Sequence, residues 1–160
     1  LIEGVQSGRR VAFSLIESKI FRYTKSSHFR RYAIMKIQND ARYAKSDEWV
    51  RVEGGVAFVG VSDYAQGKLG DVVFVGEISV GSTLKAGDLL TSVESVKAAS
   101  DVYTPVSGKV LEVNHEVTAK PELLNSDAFG AGWLAKIELS NPDELNSLMS
   151  ATDYAEYRKE

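Results

Sequence analysis

The sequence predicts a mainly β fold with short helices and a C-terminal helical segment. From Trp49 onward the apolar residues fall in short runs rather than long helical periods, and glycine-containing turns separate the runs. Near the end, Asn141-Pro142-Asp143-Glu144 changes the pattern to a helix start. A chain of 160 residues with 44% hydrophobic content has room for one domain with a modest core.

Trp49-Val50-Arg51-Val52-Glu53 and Val56-Ala57-Phe58-Val59-Gly60-Val61 read as a hairpin, because Gly54-Gly55 between them tolerates the positive φ of a primed two-residue turn. Ser62 is placed to cap a short helix through Asp63-Tyr64-Ala65-Gln66, and Gly70 to end it in a left-handed conformation. Val72-Val73-Phe74-Val75, apolar at every position, reads as a strand buried on both faces. Leu84 and the turn Lys85-Ala86-Gly87-Asp88 lead into a strand from Leu89 to Val93. Val102 to Val106 and Lys109 to Val113 are further strands, split by Ser107-Gly108. At the C-terminal helix start, Asn141 is expected to cap, Pro142 to take the first helical position, and Glu144 to reach back as in a capping box. Leu145, Leu148 and Met149 then form one apolar face, and a last helix runs through Tyr154 and Tyr157 on one side. Both stripes read as packing surfaces.

The net charge of −3 conceals an asymmetry. Residues 1–45 carry ten basic side chains against three acidic ones, and the remainder carries nine basic against nineteen acidic. A basic, Ser-containing, acid-poor N-terminus with Phe13, Ile16 and Ile20 at near-helical spacing is the composition of an organelle import sequence. Glu17 interrupts it, and an ordinary basic helix or arm is the alternative. Arg30 and Arg31 point to removal between Phe29 and Ala33, which makes residues 1–33 a mitochondrial transit peptide and 34–160 the working domain, in the matrix.

Several classes of function are excluded by composition. Without cysteine there are no disulfides, thiolate metal sites or cysteine nucleophiles, and His28 and His115 are too few for a histidine metal centre. His115 reads as a surface loop residue after Asn114. No apolar run approaches the span of a bilayer, and the acidic C-terminal part repels nucleic acid. Gly130-Ala131-Gly132 lacks the third glycine of a dinucleotide fingerprint, and no nucleophile–base pair stands out, so no catalytic residues are assigned.

One lysine remains. Lys97 sits between two β-prone runs in Val93-Glu94-Ser95-Val96-Lys97-Ala98-Ala99-Ser100-Asp101. An amine on a long flexible stem is the natural point for an amide-linked prosthetic group, although a lysine taken alone reads as a solvated surface charge. Ser95-Val96-Lys97-Ala98 has no glycine, proline or asparagine, and propensity alone draws one strand through it. A type I turn accepts these residues and leaves a tight hairpin open.

The surroundings of Lys97 decide between these readings. Glu48-Trp49-Val50-Arg51-Val52, Val59-Gly60-Val61-Ser62-Asp63-Tyr64-Ala65-Gln66 and Leu69-Gly70-Asp71-Val72-Val73-Phe74-Val75 precede it. Pro105-Val106-Ser107-Gly108-Lys109-Val110-Leu111-Glu112-Val113-Asn114, Pro121-Glu122-Leu123-Leu124-Asn125, Gly132-Trp133-Leu134-Ala135-Lys136-Ile137 and Pro142-Asp143-Glu144-Leu145 follow. In order and approximate spacing, from Tyr43 to the C-terminus, this resembles the H-protein family of the glycine cleavage system. Val96 with Glu94 and Ser95 matches that family, whereas biotin carriers place methionines on both sides of the lysine and 2-oxo acid dehydrogenase lipoyl domains an aspartate before it.

The resemblance implies a flattened barrel-sandwich hybrid of the lipoyl/biotinyl carrier type, with Lys97 at a hairpin tip carrying lipoate as N6-lipoyllysine. It implies a non-catalytic monomeric shuttle in glycine catabolism and one-carbon metabolism. A pyridoxal-phosphate glycine decarboxylase loads an aminomethyl group, a tetrahydrofolate-dependent aminomethyltransferase takes the one-carbon unit, and the flavin enzyme dihydrolipoyl dehydrogenase reoxidises the dithiol. Lipoyl-attaching enzymes are further partners, and Glu94, Ser95, Val96, Ala98 and Asp101 are candidates for recognition of the hairpin. The alternatives are a carrier that relays lipoate to other proteins and a binding module that has lost its glycine cleavage partners. Two departures from the family pattern bear on docking: Asp47 stands where a histidine is usual, and Gly76-Glu77-Ile78-Ser79 replaces a more acidic, proline-bearing segment.

Overall fold

The computed structural model describes residues 34–159. The segment read as a transit peptide, residues 1–33, lies outside the described residues. Fourteen short elements follow one another: β1 (Arg42–Tyr43), β2 (Glu48–Glu53), β3 (Val56–Val61), α1 (Asp63–Leu69), β4 (Val72–Val75), β5 (Thr83–Leu84), β6 (Leu89–Ser95), β7 (Ala99–Tyr103), β8 (Gly108–Val113), α2 (His115–Ala119), α3 (Leu123–Ser126), β9 (Ala135–Leu139), a 3₁₀ turn (Pro142–Ser147) and α4 (Ala151–Tyr157). They form a six-stranded antiparallel sheet in the order β1-β2-β3-β9-β8-β5 and a three-stranded one in the order β4-β6-β7. The mainly β class and the flattened two-sheet sandwich are as expected.

Local chemistry explains the elements the sequence announces. Gly54 and Gly55 both have positive φ, 58° and 80°, and join β2 to β3 in register, with Glu53 opposite Val56. Ser62 caps α1 by accepting from the Ala65 amide. Gly70 ends that helix at φ 76° and ψ −154°, which is a more extended backbone than the expected left-handed turn and one that glycine alone tolerates readily.

The two sheets share one apolar cluster that includes Val59, Val72, Val93, Val102, Val110, Leu134 and Ile137. A second cluster gathers Tyr43, Trp49 and Tyr154, with Phe129 and Met149 against it, and the Tyr43 and Tyr154 rings stack with centroids 4.3 Å apart. In β3 and β9 the first cluster takes alternate residues, Ala57, Val59 and Val61 and then Ala135 and Ile137, which is how a pleated strand presents one face inward.

Several sequence expectations need correction. Val72-Val73-Phe74-Val75 is not buried on both faces: Val73 is 55% and Phe74 48% exposed. β4 is an edge strand with a register shift between Val72 and Phe74, so only Val72 and Val75 reach the core. The strand placed at Val102–Val106 begins earlier, at Ala99, and ends at Tyr103, leaving Val106 buried outside any strand. His115 is exposed as expected but opens α2 rather than sitting in a loop, with Asn114 capping that helix. Asn141 makes no capping bond, and the segment after it is a 3₁₀ turn rather than an α-helix. The Glu144 carboxylate turns away from it to accept from Ser107 N–H at 2.7 Å and Ser107 Oγ–H at 2.6 Å, because two donors in a neighbouring loop outcompete one backbone N–H. Leu145 and Leu148 join the main cluster while Met149 joins the second, so they do not make one face.

Gly108 shows how closely the large sheet is built. It pairs with Leu84 on one side and Leu139 on the other, and an added Cβ would stand 1.9 Å from the Glu138 carbonyl oxygen. Gly108→Ala is expected to part β8 from β9 and cost about 3 kcal/mol, at the upper end for overpacking, in a urea melt.

Candidate functional site: the Lys97 hairpin and its cleft

β6 and β7 pair from Leu89 with Tyr103 up to Glu94 with Ala99, and the chain reverses over Val96-Lys97-Ala98. Propensity alone misses this turn, and Ser95 supplies it. Its hydroxyl accepts from the Ala98 amide at 3.1 Å and the Lys97 amide at 3.3 Å and lies 3.2 Å from the Ala98 carbonyl, to which it donates, while Ser95 N–H donates to that carbonyl at 2.7 Å. A serine side chain bonding its own backbone two and three residues on is a recognised turn device, so the signal was present in the sequence as Ser95.

Lys97 is exposed at the tip. Its ammonium has no hydrogen-bond, ion-pair or ring partner among the described residues. Its stem passes over Gly70, where an added Cβ would lie 3.4 Å from Cε. Glu94, Val96, Ala98 and Asp101 are exposed around it, Val96 at 77%, whereas Ser95 is only 9% exposed and is spent on the turn. Neither Glu94 nor Asp101 pairs with Lys97.

The turn is also tied to the body of the protein. The Val96 amide donates to the Asp71 carbonyl at 3.1 Å. On either side of Asp71, Asn125 grips the chain: its amide donates to the Gly70 carbonyl at 2.8 Å, and its oxygen accepts from the Val72 amide at 2.9 Å. The same amide donates to Gln66 Oε1 at 2.9 Å. Asn125 stands within a segment that carries the family resemblance, yet its side-chain role is invisible in sequence because its partners lie 53 to 59 residues away.

Beside the hairpin lies a shallow cleft of about 180 Å³. Ser46, Asp47 and Glu48 form one wall, Val61, Ala65, Lys68 and Leu69 another, and Ser100, Asp101 and Val102 of β7 the third. Glu48 is 2% exposed and is fixed by Ser46 Oγ–H and by Tyr103 N–H at 2.9 Å. Burial pushes its carboxyl above the usual range, against the lowering effect of those two donors. Asp47 has φ 77° and is held by Arg158, whose Nε and terminal nitrogen donate to its two oxygens at 2.8 and 2.7 Å, and by Tyr154 O–H at 2.6 Å. Asp47 therefore anchors the C-terminal helix, a role different from the docking effect its unusual identity suggested.

The site fits an amide-linked arm. The attachment amine is solvent-facing and unpartnered, so acylating it breaks no native contact, and the glycine beneath the stem leaves the tip uncrowded. Among the described residues no group of acidic or histidine side chains is arranged to hold a metal, and no helix is long and apolar enough to cross a membrane.

Comparison with known proteins agrees with this geometry. A sequence profile of the family described as "Glycine cleavage H-protein" matches residues 41–160. The glycine cleavage system H protein of Carboxydothermus hydrogenoformans is 48% identical over 124 residues, covering 78% of this chain and 95% of that protein. That of Alkaliphilus oremlandii is 54% identical over 123 residues, covering 77% and 96%. A crystal structure of a glycine cleavage system H protein from Mycobacterium marinum superposes with a TM-score of 0.69 at 35% identity, covering 75% of this chain and 97% of that one.

The Glu48 environment has a pH signature. A raised folded-state pKa means the native state holds a proton that the unfolded chain releases at about 4.5, so stability falls as pH rises from there through the raised value. Glu48→Gln, which keeps an acceptor for Tyr103 N–H, is expected to remove that fall. Urea melts from pH 4 to pH 8 check it: the variant should gain on the parent as pH rises and lose the advantage on acidification.

Proposed function

This chain belongs to the glycine cleavage H-protein family, and we propose that it is the lipoyl-bearing shuttle of the glycine cleavage system, with lipoate amide-linked to Lys97. The observation that carries the reading is the unpartnered Lys97 amine at the tip of a braced hairpin, in a chain matching the family over residues 41–160. Lipoate, when attached, supplies the dithiol end that carries an aminomethyl unit from the pyridoxal-phosphate decarboxylase to the tetrahydrofolate-dependent transferase, and that the flavin dehydrogenase reoxidises.

The residues of this chain do the remaining work. Lys97 anchors the arm, and Ser95 fixes the direction in which it leaves. Glu94, Val96, Ala98 and Asp101 ring the attachment point and offer attaching enzymes and partners a mixed apolar and acidic surface. The neighbouring cleft gives the distal end of the arm a place partly out of water, with the exposed Asp101 as acceptor for a cationic amine and Val61, Ala65 and Leu69 for its apolar length. The chain is a carrier and not a catalyst, and its gain is effective concentration: a tethered group meets each partner without free diffusion.

We further propose that residues 1–33 are a mitochondrial import segment, a reading that rests on their basic, acid-poor composition. N-terminal sequencing of protein from its native source should find the residues before about Ala33 absent. Recovery of the basic segment intact rejects the import reading.

Lys97→Arg keeps the charge but presents a guanidinium that stays protonated and does not form the amide. Lipoylation by a lipoate ligase, followed by peptide mass mapping, is expected to vanish, while stability in a urea melt shifts by no more than roughly 0.5 kcal/mol, as for surface substitutions generally. A lipoyl mass on Lys109 or Lys136 instead would overturn the assignment.

A further inference from the structure

We propose that Asn125 is a positioning residue for lysine acylation, holding the Lys97 turn in the orientation that the attaching enzyme reads; this rests on the carrier reading above. The chain of contacts is short and directional. Asn125 bonds the Gly70 carbonyl and the Val72 amide, which flank Asp71. The Asp71 carbonyl in turn accepts from the Val96 amide, one residue before Lys97.

The geometry makes this more than a generic buried contact. Two protons and one oxygen of a single planar amide meet three partners along the one stretch from Gln66 to Val72, so the group fixes an orientation as well as a distance. Gly70 adopts a backbone that is costly for any other residue, and its carbonyl direction is what Asn125 holds. The Val96 bond to Asp71 ties the turn to the body of the protein next to the last β4–β6 pair, Val72 with Ser95, and the other turn bonds are internal to Ser95–Ala98. Freed from Asn125, the loop Gly70–Val72 can shift, and the lysine turn shifts with it. The amide forms when neutral Nζ attacks the carbonyl carbon of an activated lipoyl donor, expelling the activating group and shedding protons to solvent. An attaching enzyme must hold that attack geometry, and misplacing the amine lowers the rate steeply.

Asn114 provides a matched control. It is also a buried asparagine, donating to the Ala131 and Trp133 carbonyls at 2.7 Å and capping α2, but none of its partners touches the hairpin. The full-length chain, Asn125→Ala, Asn125→Asp and Asn114→Ala are each given lipoate, ATP and a lipoate ligase, and amide hydrogen exchange is followed on the unmodified proteins. Both Asn125 variants are expected to exchange the Val96 amide about tenfold faster than the parent, as for loss of one hydrogen bond of the usual strength, and to lose about tenfold in kcat/KM for lipoylation. Asn114→Ala should match their loss of global stability while leaving both readouts within twofold of the parent. Asn125→Asp keeps the acceptor for Val72 and decides the matter if Asn125→Ala does not fold. Unchanged Val96 exchange in the Asn125 variants, or equal losses in Asn114→Ala, overturns the proposal. A parent protein that takes no lipoyl group on Lys97 overturns the carrier reading instead, and the exchange data then still decide whether Asn125 holds the turn.

Discussion

The rest of the structure depends on where its apolar core stops. Val93 and Val102 on the hairpin strands are buried in the cluster that joins the two sheets, and Val96, three residues beyond Val93, is 77% exposed. Between those points the chain leaves the core: Glu94 and Ser95 still pair with β4, and past them the turn must satisfy its backbone by other means, since an unpaired amide or carbonyl is costly wherever water is scarce. Ser95 meets that need from within the turn and Asp71 from outside it. A rigid base and a side chain held by nothing follow from the same boundary.

Asp47 gives the cleft a second dependence on distant sequence. It occupies a positive φ that side-chain-bearing residues rarely adopt, and it stays there because Arg158 and Tyr154 of the C-terminal segment hold both of its oxygens. Tyr154 is itself stacked on Tyr43 and lies 2.7 Å from Ser62 Oγ, the cap of α1. Burial raises the Tyr154 hydroxyl well above its ordinary value, so it remains a donor to the Asp47 carboxylate. One face of the cleft therefore rests on α4 and another on α1, and both meet at one tyrosine. The C-terminal helix is a structural support for the site although it contributes no residue to its lining.

What was legible in the sequence was local. The Gly54-Gly55 hairpin and the Ser62 cap need nothing beyond their own few residues, and both form as read. Lys97 stands out as a candidate through the resemblance of its surroundings and not through the physics of its own segment, where apolar and small residues allow strand and turn alike. Ser95 held the missing clue, but a hydroxyl that closes a turn looks the same in sequence as one facing solvent on a strand. The exposure of Val73 and Phe74 was hidden by a register shift, because apolar composition cannot report which residues a bulge turns outward. Glu144 and Asn125 were hidden for a different reason: their partners are at least 37 residues distant, and no local rule weighs a nearby cap against a remote donor.

The freedom of Lys97 has a physical consequence for its neighbours. Glu94 and Asp101 are close to it in sequence, and a surface ion pair with either would contribute on the order of 0 to 1 kcal/mol. Acylation neutralises the amine, so any such pair would be lost on modification, and the modified and unmodified proteins would differ in fold stability or in hairpin geometry. With no pair present, acylation of Lys97 would break no ion pair of the fold. Glu94 and Asp101 are exposed beside a tip that would lose its one cation on acylation, which would make the hairpin more acidic once modified. A partner that reads this surface by charge thus meets a different field on the modified protein than on the unmodified one, without any change in backbone.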